Sequence, residues 1–412
     1  MTQQYQNDTI DTSGEIQNPS QPDPSDHYIK RRGEALLRRH SGTRARRLKI
    51  AEELDTASQF QLILTKFKKH RIARLSLYLL VMLYLIAIFA DFVAPYDPLQ
   101  RFPDQIYASP TELHVVDANG NLTLPFFYST KSQPNSTTFA YSLIVDDKTT
   151  QHRLQLFPES PPYKLAGIIP MNRHLFGAEG GKAFFLLGAD NLGRDLLSRV
   201  LYAARISLFV GLVGVFISFV LGIVLGGVSG YFGGVIDLII QRIIEFLLSI
   251  PQIPLWIALS AAIPHNWTGI QIFFAITVIL SFVGWTGLAR VVRGKIVSLR
   301  EEDYVMAARI SSAGHWSIIV RHLLPGFTSY LIVYITLAIP GMILGETTLS
   351  FLGLGIVPPD ISWGSLLQQA QDVTVVATYP WLLMPVAFVM IAVILYNFIG
   401  DGLRDAADPY TR

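Results

Sequence analysis

"ISLFVGLVGVFISFVLGIVLGGV", residues 206–228, carries no charged side chain over 23 positions. As an α-helix it would be about 35 Å long, enough to cross the ~30 Å hydrocarbon core of a bilayer. Helices of soluble cores are shorter and less uniformly apolar, so this stretch reads as a membrane span. Working outward, five more runs approach the same length. They are 75–93, interrupted only by Asp91; 235–262, with Asp237, Arg242 and Glu245 early and breaks at Pro251 and Pro254; 270–288; 326–344; and 381–399. The fold expected is an all-α polytopic membrane protein of six spans.

Composition agrees. Half of the 412 residues are hydrophobic and 16% are charged, against about a quarter in soluble domains. Mean hydropathy is +0.37. A net charge of +2 gives no sign of a nucleic-acid partner. The absence of cysteine excludes disulfides, thiolate metal sites and cysteine nucleophiles. The first seventy residues lack the basic, apolar and small-residue order of a cleaved signal peptide.

Lys and Arg near the span ends set orientation. They crowd the region from Lys30 to Arg74, and recur after the fourth span as Arg290, Arg293, Lys295, Arg300, Arg309 and Arg321. Both termini are therefore expected in the cytoplasm. Residues 1–44 form a tail expected to be disordered, its first part poor in apolar residues. Residues 45–74 form a basic segment with Phe60, Ile63, Leu64 and Phe67 at helical spacing, either an amphipathic helix on the inner membrane surface or a solvated linker. The first span, 75–93, is followed by an extracytoplasmic insertion, 95–187. Strand-like alternation around Asp117-Ala118-Asn119-Gly120 and around Asp146-Asp147-Lys148 makes it β-rich, with hairpin turns at both places. Residues 188–412 then form a five-helix core with a polar loop at 290–325.

No catalytic constellation is present. The histidines are scattered without metal-ligand spacing, and "GAEGGKAF" lacks the first glycine and the Ser/Thr of a phosphate-binding loop. The chain should have no cofactor and no ATPase site of its own.

The loop includes "EEDYVMAARISSAGHWSIIVRHLLPG", residues 301–326. It reads as helix-turn-helix. Asp303 is suited to cap the first helix. Ala307 and Ala308 keep one face low for close approach. Ser311-Ser312-Ala313-Gly314 breaks the helix, with Gly314 suited to a left-handed backbone. Ile318, Ile319 and Leu323 make an apolar stripe, and Pro325 opens the fifth span. From the residues alone, such a helix either enters a groove in a partner or rests on lipid.

"DYVMAARISSAGHWSIIVRHLLP" resembles the EAA loop of membrane subunits of bacterial ABC importers, the type paired with solute-binding proteins. The family pattern is Glu-Ala-Ala, three residues, Gly, nine residues, Ile, one residue, Leu-Pro. Ala307, Ala308, Leu324 and Pro325 fall in register. Met306, Ser312 and His322 take the Glu, Gly and Ile places; His is usual in the peptide branch, and Met306 and Ser312 are departures. "LGADNLGRDLLSRVLYAARISLFVG" (187–211) resembles the signature before the second span in dipeptide and oligopeptide permease C-type subunits. "GYFGGVIDLIIQRIIEFLLSIPQIPL", "LGETTLSFLGLGIVPPDISWGSLL" and "NFIGDGLRDAADPY" follow in the same order. The resemblance implies one half of a heterodimeric channel in the bacterial inner membrane, probing no nucleic acid and importing peptides by alternating access. Its implied partners are a B-type permease subunit, two ATPase subunits that bind ATP and Mg, and a solute-binding protein. The loop positions implied to couple to the ATPases are Asp303, Tyr304, Met306, Ala307, Ala308, Arg309, Ser312, Gly314, His322, Leu324 and Pro325. The family also includes importers of nickel and oligosaccharides, and a receptor or scaffold using the same loop is the alternative of another class.

Charges within the apolar runs add further expectations. Arg242 and Glu245, three apart, are suited to meet on one helical face as a gate pair or a structural pair. Asp190 is expected to cap a helix, Asp195 to pair with Arg199 four residues on, and Ser218, Gly222 and Gly226 to let helices approach closely. Glu346, at the outer end of the fifth span, would face the pathway or cap the following segment.

Overall fold

A computed structural model describes residues 59–408 apart from 117–120, 136–139 and 265. The tail expected over 1–44 and residues 45–58 of the segment 45–74 lie outside the described residues, as does the turn at Asp117–Gly120. The described chain begins with α1 (Gln59–Lys69) and α2 (Arg71–Ile88), followed by the strands and then α3 (Leu196–Phe232), α4 (Gly234–Ser249), α5 (Gln252–Ser260) and α6 (Gly269–Leu299). The short α7 (Asp303–Ile310) leads into α8 (His315–Phe351); α9 (Trp363–Leu367) and α10 (Pro380–Ala407) complete the order.

Five helices, α2, α3, α6, α8 and α10, are long and apolar enough to cross a membrane, and the α4–α5 pair is bent by 89° at the break that Pro251 makes. Pro251 lacks an N–H and fixes its own φ, so the helix cannot run straight through it. The first span stops at Ile88, five residues short of the expected end, and a separate turn holds Asp91. α3 has 37 residues, about 55 Å at 1.5 Å per residue. It therefore projects beyond the bilayer core at both ends.

α3 lies along α6, and the small residues of its contact stripe explain how closely. A Cβ on Gly226 would stand 2.5 Å from the Ala289 carbonyl oxygen, and one on Gly222 2.8 Å from Leu288. Ser218 donates to the Ser281 carbonyl at 3.4 Å on the same stripe, as its spacing suggests. Leu208, Ile276, Leu280, Ile343 and Ala392 fill the centre of the bundle. Of the apolar positions in α1, Ile63 and Phe67 are buried in this same cluster, with Ala73 and Ala406.

Between α2 and α3, β1 (His114–Val116), β2 (Leu122–Pro134), β3 (Tyr141–Leu156) and β6 (Phe176–Ala178) form an antiparallel sheet, and β4 (Glu159–Leu165) pairs with β5 (Ile169–Arg173). The second expected turn is not a turn. β3 runs on through 146–148, and Ser129 pairs with Asp147. The register shifts between Tyr128 and Thr130, so the surplus residues of β3 are taken up as a bulge in a continuing strand.

The "LGADNLGRD" stretch ties this layer to the helices. Gly188 and Gly193 have φ of 84° and 68°; a Cβ on Gly193 would sit 2.1 Å from the Phe102 carbonyl oxygen. Only glycine permits both the conformation and the approach. The charges here differ from expectation. Asp195, not Asp190, caps α3, accepting from Ser198 N at 2.7 Å. Asp190 sits outside the helix and accepts instead from the side chains of Arg194, at 2.8 Å, and Arg199. Burial decides the pairing: Arg199 is enclosed, and Asp190 is the carboxylate within its reach.

Candidate functional site

The polar loop lies at the end of α3 remote from the strands. α6 runs on to Leu299, and α7 begins after Glu302. The cap position is Glu302, and no side chain caps the helix. Asp303 falls one residue inside, where its charge suits the positive end of the helix dipole without accepting a capping bond. α7 divides by face. Val305 is fully buried and Ala308 is 8% exposed, both packed with Tyr231, Ile296, Ile318, Ile319 and Leu323. Ala308 thus turns into its own chain, and so does the stripe of Ile318, Ile319 and Leu323. A helix brings residues three apart to one face, so the outward set is Tyr304, Met306, Ala307 and Ile310, the last 82% exposed. Trp316 and Val320 extend this exposed apolar surface onto α8.

α7 ends in a Schellman motif. Ala313 N donates to the Ala308 carbonyl at 3.1 Å, and Ser312 N to that of Arg309 at 3.0 Å. The left-handed residue is Ser312, at φ 58°, and not Gly314, which at φ −63° precedes the next helix in an extended conformation. α8 starts irregularly: Ile318–Leu323 is π-helical and Leu324–Phe327 is 3-10. Pro325 explains this, since it has no N–H to donate and its ring crowds the carbonyl four residues back. His322 and Leu324 are half-buried and Pro325 is exposed.

Two contacts whose partners no local spacing announces hold the loop and the helix ends beside it. Tyr231, at the end of α3, bonds His315 Nδ1 through its hydroxyl at 3.1 Å, while the Arg309 guanidinium lies 5.3 Å from its ring centre. Arg293 of α6 grips Asp237 of α4 with two bonds of 2.6 Å. Asp237 also accepts from Ser229 of α3 at 2.5 Å. Asp237 was visible as a charge in an apolar run, but its partner is 56 residues away and no local spacing announces it. The loop is therefore bound to the ends of α3, α6 and α8 as one unit.

Arg242 and Glu245 do meet, at 2.9 Å, with side chains 77% and 53% exposed on the outer face of α4. Glu346 is elsewhere and fully buried. It accepts from Ser207 of α3 at 3.1 Å and from Ser350 at 2.7 Å. Ser207 in turn accepts from Trp363 N at 3.0 Å, and Ser350 from Ile356 N at 2.9 Å. The carboxylate thus joins α3, α8 and α9.

Comparison with known proteins follows this geometry. Residues 206–412 match the family described as binding-protein-dependent transport system inner membrane component, and residues 58–110 match the N-terminal TM domain of oligopeptide transport permease C. An oligopeptide transport system permease protein of Haemophilus influenzae is 40% identical over 232 residues, 56% of this chain and 72% of the relative. A dipeptide transport system permease protein of Bacillus subtilis is 40% identical over 226 residues, 55% of this chain and 68% of the relative. A dipeptide transport system permease protein of Lactococcus lactis is 30% identical over 357 residues, 85% of this chain and 91% of the relative.

Proposed function

The chain belongs to the family of binding-protein-dependent transport system inner membrane components, and from that membership we propose that it is one permease subunit of an ATP-driven importer of di- and oligopeptides in the bacterial inner membrane. The substrate class follows the relatives named for oligopeptides and dipeptides. The observation that carries the mechanism is the exposed apolar face of α7 on a loop bound to α3, α6 and α8. Of two ATPase subunits holding ATP and Mg, one receives this face in a groove, and the other receives the matching loop of the second permease subunit. Their closure displaces α7, and the three spans move with it. A homologous B-type permease subunit completes the pathway, and a solute-binding protein delivers peptide at the strand-bearing end. The chain itself hydrolyses nothing.

In this reading the loop end and both termini are cytoplasmic, and the insertion is outside. Tyr304, Met306, Ala307 and Ile310 make the contact; Ala308, Ser312, Gly314, His322, Leu324 and Pro325 shape the loop behind it, and Asp303 and Arg309 flank it. Arg242 and Glu245 are the gate candidates, because an exposed ion pair on a helix within the membrane faces a cavity or a partner. Glu346 holds the helix ends in place. The test is reconstitution of the chain with its second permease subunit, ATPases and solute-binding protein in proteoliposomes. ATP-dependent accumulation of labelled di- or oligopeptide is expected. Accumulation unaffected by ATP, or of non-peptide solutes alone, would remove the reading.

A further inference from the structure

The hairpin β4–β5 carries an apolar tip with no cover from the described residues. Ile168 is 81% exposed and Ile169 56%. The tip is held in place by two tethers. Ala166, at φ 49°, donates its N–H to Asp91 Oδ2 at 2.8 Å, and Asp91 is paired with Arg205 of α3 at 2.7 Å. Further back, Leu175 N donates to the Phe92 carbonyl at 2.7 Å, and the His174 ring lies 3.0 Å from the Asp91 carbonyl. Asp91 stands three residues beyond Ile88, where α2 ends. Ile168 and Ile169 follow Ala166 by two and three residues, at most about 10 Å along an extended chain. The tethers therefore hold both isoleucines near the strand-bearing end of α2.

Beneath the hairpin is a groove of about 450 Å³. Ile86, Phe89, Phe92 and Val93 form one wall, and Leu165 and Met171 the other; no polar group faces it. Phe89 is also exposed at the end of the span, together with Leu85 and Ile88. The groove thus includes Leu85 and Phe89, which are also exposed on α2, and it reaches Leu165 and Met171, the residues that flank the hairpin tip. A water-facing loop would not present such a surface, whereas elements that lie in a membrane interface do.

We propose that the β4–β5 hairpin is a membrane-interface element: its Ile168–Ile169 tip lies among the lipid acyl chains of the leaflet at the strand-bearing end, and acyl chains fill the groove against α2. The occupant is lipid, because the groove is continuous with the span's own lipid-facing side. The inference needs only that α2 crosses a bilayer and is independent of the transport reading.

The chain has no cysteine, so single sites are available without further change. Ile168→Cys and Ile169→Cys are spin-labelled in the full chain and placed in phospholipid nanodiscs. Tyr78→Cys, on the exposed side of α2, is the lipid reference, and Asp104→Cys is the aqueous one. Collision rates with oxygen, which concentrates in lipid, and with a water-soluble nickel chelate are compared. The labels at 168 and 169 are expected to match Tyr78, with oxygen favoured over nickel. Nickel accessibility equal to that at Asp104 would overturn the proposal. So would protection from both reagents that arises only when another permease subunit or a solute-binding protein is added, since the tip would then be a protein contact.

Discussion

Ser312 holds a left-handed backbone that glycine adopts without strain, and an L side chain there costs about 1 kcal/mol. Ser312→Gly is expected to raise stability by about that amount, visible as a higher melting temperature in detergent; a lower one would mean that the hydroxyl contributes more than the strain removes. The two alanines of α7 should respond in opposite ways. Ala308→Arg forces a guanidinium against Val305, Ile318 and Leu323, at a cost on the order of several kcal/mol, so yield and melting temperature fall. Ala307→Arg projects outward, leaves the fold intact and blocks capture of the ATPase subunits. Equal capture by Ala307→Arg and the unaltered chain would withdraw that face from the contact. The sequence made both alanines legible as small, yet which of them faces outward depends on Tyr231 and Ile318, and no local pattern encodes those neighbours. Asp195 supplies a pH test. Burial raises its carboxyl to about 6, above the ordinary value of about 3.9. The proton therefore favours the folded state: its contribution is complete below about pH 4 and is lost as pH rises through about 6. Asp195→Asn keeps an acceptor for Ser198 but cannot ionise. The melting temperature of the unaltered chain should fall relative to that of the variant between these values, and parallel curves would refute the shift.

Elements were legible in proportion to how far their causes were local. The spans announced themselves because hydrophobicity accumulates along one continuous run, and Pro251 marked the bend of the third. The strand around 146–148 was misread because two aspartates and a lysine favour a turn in isolation, whereas pairing with β2 carries the strand onward. The first span was drawn too long for a related reason: Asp91 sits in an apolar run but belongs to a separate turn, held by Arg205 from a distant helix. Packing of α3 on α6 was legible in Gly222 and Gly226, and it yields a paired test. Gly226→Ala places a Cβ against a backbone oxygen that cannot yield, and should cost about 1–3 kcal/mol. Gly227→Ala meets Ile319 Cγ2 at 3.5 Å and Ile296 Cδ1 at 3.8 Å, both ordinary contacts, and should be neutral or slightly stabilising through helix propensity. Thermal melts of the two variants decide; equal losses would show that the close approach of α3 and α6 does not limit stability.

For the whole molecule, the proposed division of labour predicts that the purified chain alone hydrolyses no ATP, and that hydrolysis appears when ATPase subunits are added. Turnover by the isolated chain, free of contaminants, would contradict it. The Asp91–Arg205 pair also bears on how such a chain is made. The two residues are 114 positions apart, and a ribosome adds roughly 5–20 residues each second. The carboxylate is therefore synthesised roughly 6–23 s before its guanidinium. For that interval Asp91 is without its guanidinium, and its other partner, the Ala166 N–H, lies in the strand layer, which is delivered ahead of α3. Arrival of Arg205 then ties α3 to the span and to the strand layer that Asp91 already holds through Ala166, so synthesis order and final architecture meet at a single ion pair.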